Sequence, residues 1–180
     1  MPRHIIISGF AAAGKTTIGR ALAQRINRPL LDLDDHISQR TGQTISQLLR
    51  PPLWLTQPRF RRTEHRLLAE ALAQTTPAVI ALGGGTPAHR ANQRLLRDSG
   101  CLIIYLKVEM ATIAERLNTD LAGRPLFASC RDLQEVRQRA ERLMRRRERY
   151  YLRPGVVPIE ATNRTVAQVV EDIVIQLDLR

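Results

Sequence analysis

Lysine is almost missing from this chain of 180 residues: Lys15 and Lys107 are the only two, although the formal net charge is +11. The basicity is arginine, much of it gathered in Arg137, Arg139, Arg142, Arg145, Arg146, Arg147, Arg149 and Arg153. Cysteine is equally scarce. Cys101 and Cys130 stand alone, which excludes a disulfide framework and, without a Cys/His cluster, argues against a zinc site. Both read as unpaired thiols of a reducing compartment. Aromatic residues make up 4%, too few for the stacking platforms of a nucleic-acid binder. The arginine-rich stretch therefore reads mainly as a solvated helix face, and no nucleic-acid partner is expected. One or two of its arginines could still capture phosphate or carboxylate through paired N–H groups. No apolar run approaches the length of a membrane span. Met1-Pro2-Arg3-His4 leads directly into an apolar segment, so no leader is expected and the expected location is the cytoplasm.

What the chain does have is Gly9-Phe10-Ala11-Ala12-Ala13-Gly14-Lys15-Thr16, a match to G-x-x-x-x-G-K-[ST], placed behind Ile5-Ile6-Ile7 and ahead of a helical pattern. Strand, glycine loop and helix together make a phosphate site: the loop's backbone N–H groups face the anion, and the helix N-terminus adds positive potential. Lys15 is placed for the outer phosphates and the Thr16 hydroxyl for Mg²⁺. A nucleoside triphosphate is the expected ligand.

Continuously apolar runs alternate with helix-period segments along the chain. Strands are predicted at His4–Ser8, Pro29–Leu33, Ala78–Leu82, Leu102–Lys107 and Val156–Glu160. Helices are predicted at Lys15–Arg25, Asp35–Thr41, Ile45–Arg50, Arg59–Gln74, His89–Asp98, Ala111–Asn118, Leu133–Tyr150 and Val166–Leu179. This pattern predicts an α/β fold of one domain over residues 1–180, a three-layer α/β/α sandwich around a five-stranded parallel sheet. Ligands in such sheets lie beyond the carboxyl ends of the strands.

Residues just after the strands follow that rule. In an extended segment Asp32 and Asp34 would share a face, one carboxylate helping to hold Mg²⁺ and the other accepting a proton from a substrate hydroxyl. Helix capping is the competing role, and it suits Asp35 better than Asp34. Gly83-Gly84-Gly85 leave backbone bare for close approach by a ligand. Arg61 and Glu64, three apart on a helix, can hold one another so that the guanidinium is aimed at a carboxylate. Arg124, in Gly123-Arg124-Pro125-Leu126, lies in a polar stretch suited to closing over phosphates. Spacing alone does not separate Arg147 from its arginine neighbours.

Taken together, these segments resemble the shikimate kinase family. The resemblance rests on the glycine loop followed by Thr17-Ile18-Gly19-Arg20, on Asp32-Leu33-Asp34, Arg40-Thr41-Gly42 and Phe60-Arg61 with Glu64. Gly83-Gly84-Gly85, Arg124-Pro125-Leu126 and Arg147 with Tyr151 complete it. It implies a P-loop kinase of the nucleoside-monophosphate-kinase type, with a substrate-binding segment at about 34–61 and a lid at about 119–131. It implies transfer of the ATP γ-phosphoryl to the 3-hydroxyl of shikimate, on the route to chorismate and aromatic amino acids, by a monomer. By the same resemblance, Lys15 and the loop residues Gly9, Ala11, Ala12, Ala13, Gly14, Thr16 and Thr17 hold ATP, and Thr16 with Asp32 serves Mg²⁺. Asp34 meets the shikimate hydroxyls and is the candidate base. Arg61 and Arg147 hold the carboxylate and Gly83, Gly84 and Gly85 line the pocket. Arg124 stabilises the transferring group, and Arg116 lies near the adenine.

The chain departs from the family pattern in places. Ala12 stands where glycine is usual, so a positive φ there would be strained. Thr56-Gln57 replaces a Gly-Glu pair inside the proline-rich stretch 51–58. The interval from Arg124 to Arg147 is a few residues longer than the family's, which makes Arg146 a rival to Arg147. A kinase of another small hydroxy acid on the same fold, or a non-catalytic ligand sensor, are the alternative readings.

Overall fold

In the computed structural model, which describes residues 3–121 and 123–179, β1 (Ile5–Gly9) occupies the centre of a five-stranded sheet in the order β2-β3-β1-β4-β5. Every pairing is parallel, with Ile6 opposite Ile80 of β3 and Ile103 of β4. The other strands are β2 (Leu30–Asp32), β3 (Val79–Ala81), β4 (Leu102–Lys107) and β5 (Val156–Glu160). β1 is buried along its whole length, as a strand covered on both faces must be. β5 carries Pro158 and can, because it is an edge strand with one side free of ladder bonds.

Side-chain alternation along β1 splits the core in two. Ile5 and Ile7 join α1 (Lys15–Arg25), α6 (Met110–Asn118), α7 (Leu133–Tyr151) and α8 (Val166–Gln176), through Leu22, Ile113, Val136 and Ile173. Ile6 joins α2 (Leu33–Thr41), α4 (Leu53–Leu72) and α5 (Arg90–Asp98) on the other face, through Ile37, Leu67 and Leu96. The short α3 (Ile45–Leu48) opens with a reciprocal Thr44–Gln47 capping box, and α8 with another between Thr165 and Gln168. The α/β expectation and the order of elements hold, and α1, β4 and β5 have the predicted ends.

Two local expectations do not hold. α2 begins at Leu33, so Asp34 lies in the first turn of a helix and is not extended beside Asp32. Neither Asp34 nor Asp35 is the cap: the Asp32 side chain accepts from the N–H groups of both, at 3.0 and 3.3 Å. Such a cap contributes about 1 kcal/mol to the helix. α4 begins at Leu53, six residues earlier than the predicted Arg59, and runs through Pro58. Pro58 is exposed, so water can take up the carbonyl that its missing N–H leaves free.

Candidate active site

The carboxyl ends of the central strands meet at two adjoining cavities. The larger, about 680 Å³, is lined by residues 11–18, Asp32, Asp34, Asp35, Gly84, Arg116, Arg124, Arg164 and the apolar wall Ala161, Val166 and Val169. The smaller, about 350 Å³, is lined by Asp34, Phe60, Arg61, Glu64, Gly83, Gly84, Gly85, Arg124, Phe127 and Arg147 among others. Ala11, Asp34, Gly84 and Arg124 line both. They form the partition.

The glycine loop owes its shape to the residues that break ordinary backbone rules. Gly14 has φ +90 and hands over to α1 with no side-chain cap, which leaves the first N–H groups of α1 for a ligand. Ala12 has φ +61, the left-handed conformation that costs an L-residue about 1–2 kcal/mol. Its carbonyl accepts from Arg116 Nη1 at 3.3 Å. Gly9 does not line the cavity. A Cβ there would press on the Leu106 carbonyl at 3.0 Å, so it lets the chain leave β1 close against β4.

Lys15 Nζ donates to the Phe10 carbonyl at 2.7 Å, folding back over the loop. Burial lowers its pKa to about 8, against the raising effect of Asp34. Thr16 Oγ1 donates to Asp32 Oδ2 at 2.5 Å, while Asp32 Oδ1 is spent on capping α2. A hydroxyl and a carboxylate oxygen therefore stand side by side at the loop's mouth. Those are the hard oxygen donors Mg²⁺ takes. Among the described residues no group of three or more His, Cys, Asp or Glu gathers to hold a metal.

Asp34 is the most perturbed acid of the site. Burial pushes its pKa up to about 6, opposed by Lys15 and reinforced by Asp32. Such a carboxyl changes protonation state close to neutrality, as a proton acceptor should. Gly83 is forced by this side chain, because a Cβ at that position would lie 2.7 Å from Asp34 Oδ1. A Cβ on Gly85 would collide with the Arg61 guanidinium.

Arg61 and Arg147 face the smaller cavity together. Arg61 Nη1 donates to both oxygens of Glu64 at 2.6 and 2.7 Å, and Glu64 is fully buried. Arg147 Nη1 donates to the Gly84 carbonyl at 3.5 Å, and its guanidinium lies 5.9 Å from the centre of the Phe10 ring. Arg146 is exposed, and of the two only Arg147 lines the smaller cavity, a difference of helix phase that spacing could not give. Arg124, exposed at the partition, is carried by a chain of turns from Leu121 to Cys130. Phe127 and Cys130 anchor that segment in the core, and the Ser46 hydroxyl donates to the Gly123 carbonyl at 3.2 Å. Ala122, within the expected lid, lies outside the described residues.

The sequence reading missed Ala161, Arg164, Val166 and Val169, which wall the larger cavity. They follow β5, so the rule that ligands lie beyond strand ends would have found them. It also missed Thr86 and Asn92, whose side chains donate to buried Glu64 at 2.8 and 2.9 Å. Chemically, one cavity suits a polyphosphate with an apolar-walled end. The other suits a small hydroxylated anion, with a titratable carboxyl between the two.

A sequence model of the family described as Shikimate kinase matches residues 11–178. A shikimate kinase of Thermobifida fusca is 36% identical, over 96% of this chain and 93% of that protein. One of Rhodococcus jostii is 32% identical, over 98% of both chains. The structure of the shikimate kinase of Acinetobacter baumannii in complex with shikimate superposes with a TM-score of 0.86 at 28% identity, covering 98% of this chain and 93% of that one.

Proposed function

This chain belongs to the shikimate kinase family, and from that premise we propose that it transfers the γ-phosphoryl group of ATP to the 3-hydroxyl of shikimate. The observation that carries the reading is the partition: Asp34 and Arg124 border both cavities at once, where a donor in one must meet an acceptor in the other.

ATP occupies the larger cavity. Loop amides from Ala11 to Thr17, the N-terminus of α1 and Lys15 take the phosphates, while Arg116, Arg164 and the apolar wall enclose the base. Thr16 and Asp32 hold Mg²⁺, which neutralises charge on the phosphates when bound. Shikimate occupies the smaller cavity, its carboxylate against Arg61 and Arg147 and its ring over the glycine turn.

Asp34 accepts the proton of the 3-hydroxyl as that oxygen bonds to the γ-phosphorus. The bond from that phosphorus to the β,γ-bridging oxygen breaks, and ADP leaves with the electron pair. Arg124 lies over the transferring group and opposes the charge that spreads on its oxygens. Closure of 119–131 around Arg124 excludes water, which would otherwise compete as acceptor. All of these groups come from one chain, in keeping with a monomer. The unpaired thiols Cys101 and Cys130 suit the cytoplasm.

A coupled assay of ADP release with shikimate, gluconate and related hydroxy acids tests the reading. Shikimate should raise the rate well above the water background. If another acid does so and shikimate does not, the acceptor is misassigned. If none does while ATP and shikimate both bind, the chain is a sensor.

A further inference from the structure

We infer that Asn92 and His65, neither of which lines either cavity, are positioning residues that set the carboxylate-binding geometry of Arg61 through Glu64. The inference rests on the proposed reading that Arg61 binds the shikimate carboxylate.

Arg61 alone does not determine where its guanidinium points. Its side chain is long and rotamer-rich, and only partners fix it. Its partner Glu64 is fully buried, and a carboxylate in such a place needs donors on its remaining lone pairs. Those donors are supplied from outside α4. Thr86 Oγ1, in the 3₁₀ turn that follows the glycines, donates to Oε1 at 2.8 Å. Asn92 Nδ2, on α5, donates to Oε2 at 2.9 Å and to the Thr86 carbonyl at 3.2 Å. Asn92 is itself fully buried.

The direction of the Asn92 amide follows from its neighbours. Both groups facing Nδ2 are acceptors only, so an amide turned the other way would set its oxygen against a carboxylate and a carbonyl. The Asn92 oxygen must then face outward, where His65 Nδ1 lies 2.9 Å away. Since that oxygen only accepts, Nδ1 of His65 carries the hydrogen. The chain of bonds runs from a half-buried histidine through one amide and one carboxylate to the guanidinium in the pocket. It ties α4, the glycine turn and α5 to a single orientation of Arg61.

A group that acts by aiming Arg61 changes binding in the ground state and the transition state alike, so its loss raises KM with little change in kcat. Asn92→Leu should raise the shikimate KM about tenfold and leave the ATP KM unchanged. Added to Arg61→Ala, it should raise the shikimate KM no further, because a residue acting through Arg61 has nothing left to aim. His65→Leu should raise the shikimate KM about threefold, and His65→Asn, whose amide can stand in for the Nδ1–H, should restore it. The half-buried His65 pair decides the matter even if Asn92→Leu does not fold.

An Asn92→Leu or His65→Leu protein that is less stable yet keeps the wild-type shikimate KM overturns the proposal. So does a KM effect that persists in full in the Arg61→Ala background. If the wild-type protein does not phosphorylate shikimate at all, it is the functional reading that falls, and this inference falls with it.

Discussion

The Tyr151 hydroxyl donates to the Gly84 carbonyl at 2.5 Å, pinning the last turn of α7 to the glycine turn beneath the smaller cavity. The Tyr151 ring stacks on Tyr105 with centroids 5.1 Å apart and planes 8° from parallel. Burial pushes the pKa of Tyr151 up to about 12, so the hydroxyl remains a donor at every working pH. Tyr151→Phe keeps the stack and removes the bond. It should cost about 1–2 kcal/mol in a urea titration and raise the shikimate KM several-fold. No change in either would show that the hydroxyl does not hold the turn.

Ala12 sits at φ +61. Ala12→Gly exchanges a left-handed penalty of about 1–2 kcal/mol for an unfolded-state entropy cost of about 0.5–1. The net expectation is a gain of up to about 1.5 kcal/mol, read as a rise in melting temperature, with ATP binding preserved. Ala12→Val, branched at the same φ, should lower it. A Gly variant clearly less stable than the parent would refute the strain at this residue.

Asp34 carries its stored cost into stability. Below its ordinary value of 3.8 it is protonated in both folded and unfolded chains. Between that value and its folded value of about 6, the unfolded chain releases the proton and the folded chain keeps it, so stability falls as pH rises. Above that range the whole cost is present. Asp34→Asn, which cannot ionise, should abolish turnover yet gain about 1–3 kcal/mol over the parent at pH 7. That advantage should shrink toward zero near pH 4. Thermal melts of both proteins from pH 4 to 7.5 measure it, and an advantage independent of pH would mean that ionisation of Asp34 is not its source.

Arg147 and its neighbour separate cleanly. Arg147→Ala should raise the shikimate KM at least tenfold, through loss of a charge-assisted partner for the carboxylate. Arg146→Ala, at an exposed position, should leave it within twofold, as surface changes usually do. The reverse ranking would move the carboxylate site.

Much of this was legible in the sequence because the loop, the strands and the periodicity of α1 are local patterns. Lys15–Arg25 and Leu102–Lys107 were read to the residue. Asp32 and Asp34 were not, because aspartate suits a strand end, a helix cap and a metal equally, and only backbone geometry decides among them. The start of α4 was hidden by the proline-rich stretch 51–58, because Pro58 lies inside the helix and leaves Arg59 as the first residue of an uninterrupted helical pattern. The partners of Glu64 lie 22 and 28 residues away, beyond any local spacing rule. Arg147 needed the phase of α7, which an arginine-rich stretch of low apolar content does not reveal.

The lysine lost from the surface has a chemical use. Lys107 sits in a surface ion pair with Glu160 at 3.3 Å, while Lys15, with its pKa of about 8, holds about a quarter of its amine unprotonated at pH 7.5. An acylating or sulfonylating reagent at that pH therefore meets Lys15 with part of its amine free to react. Lysine-directed labelling of this protein should reach Lys15 in the larger cavity, and a ligand bound there should protect it, a loss countable by mass one adduct at a time.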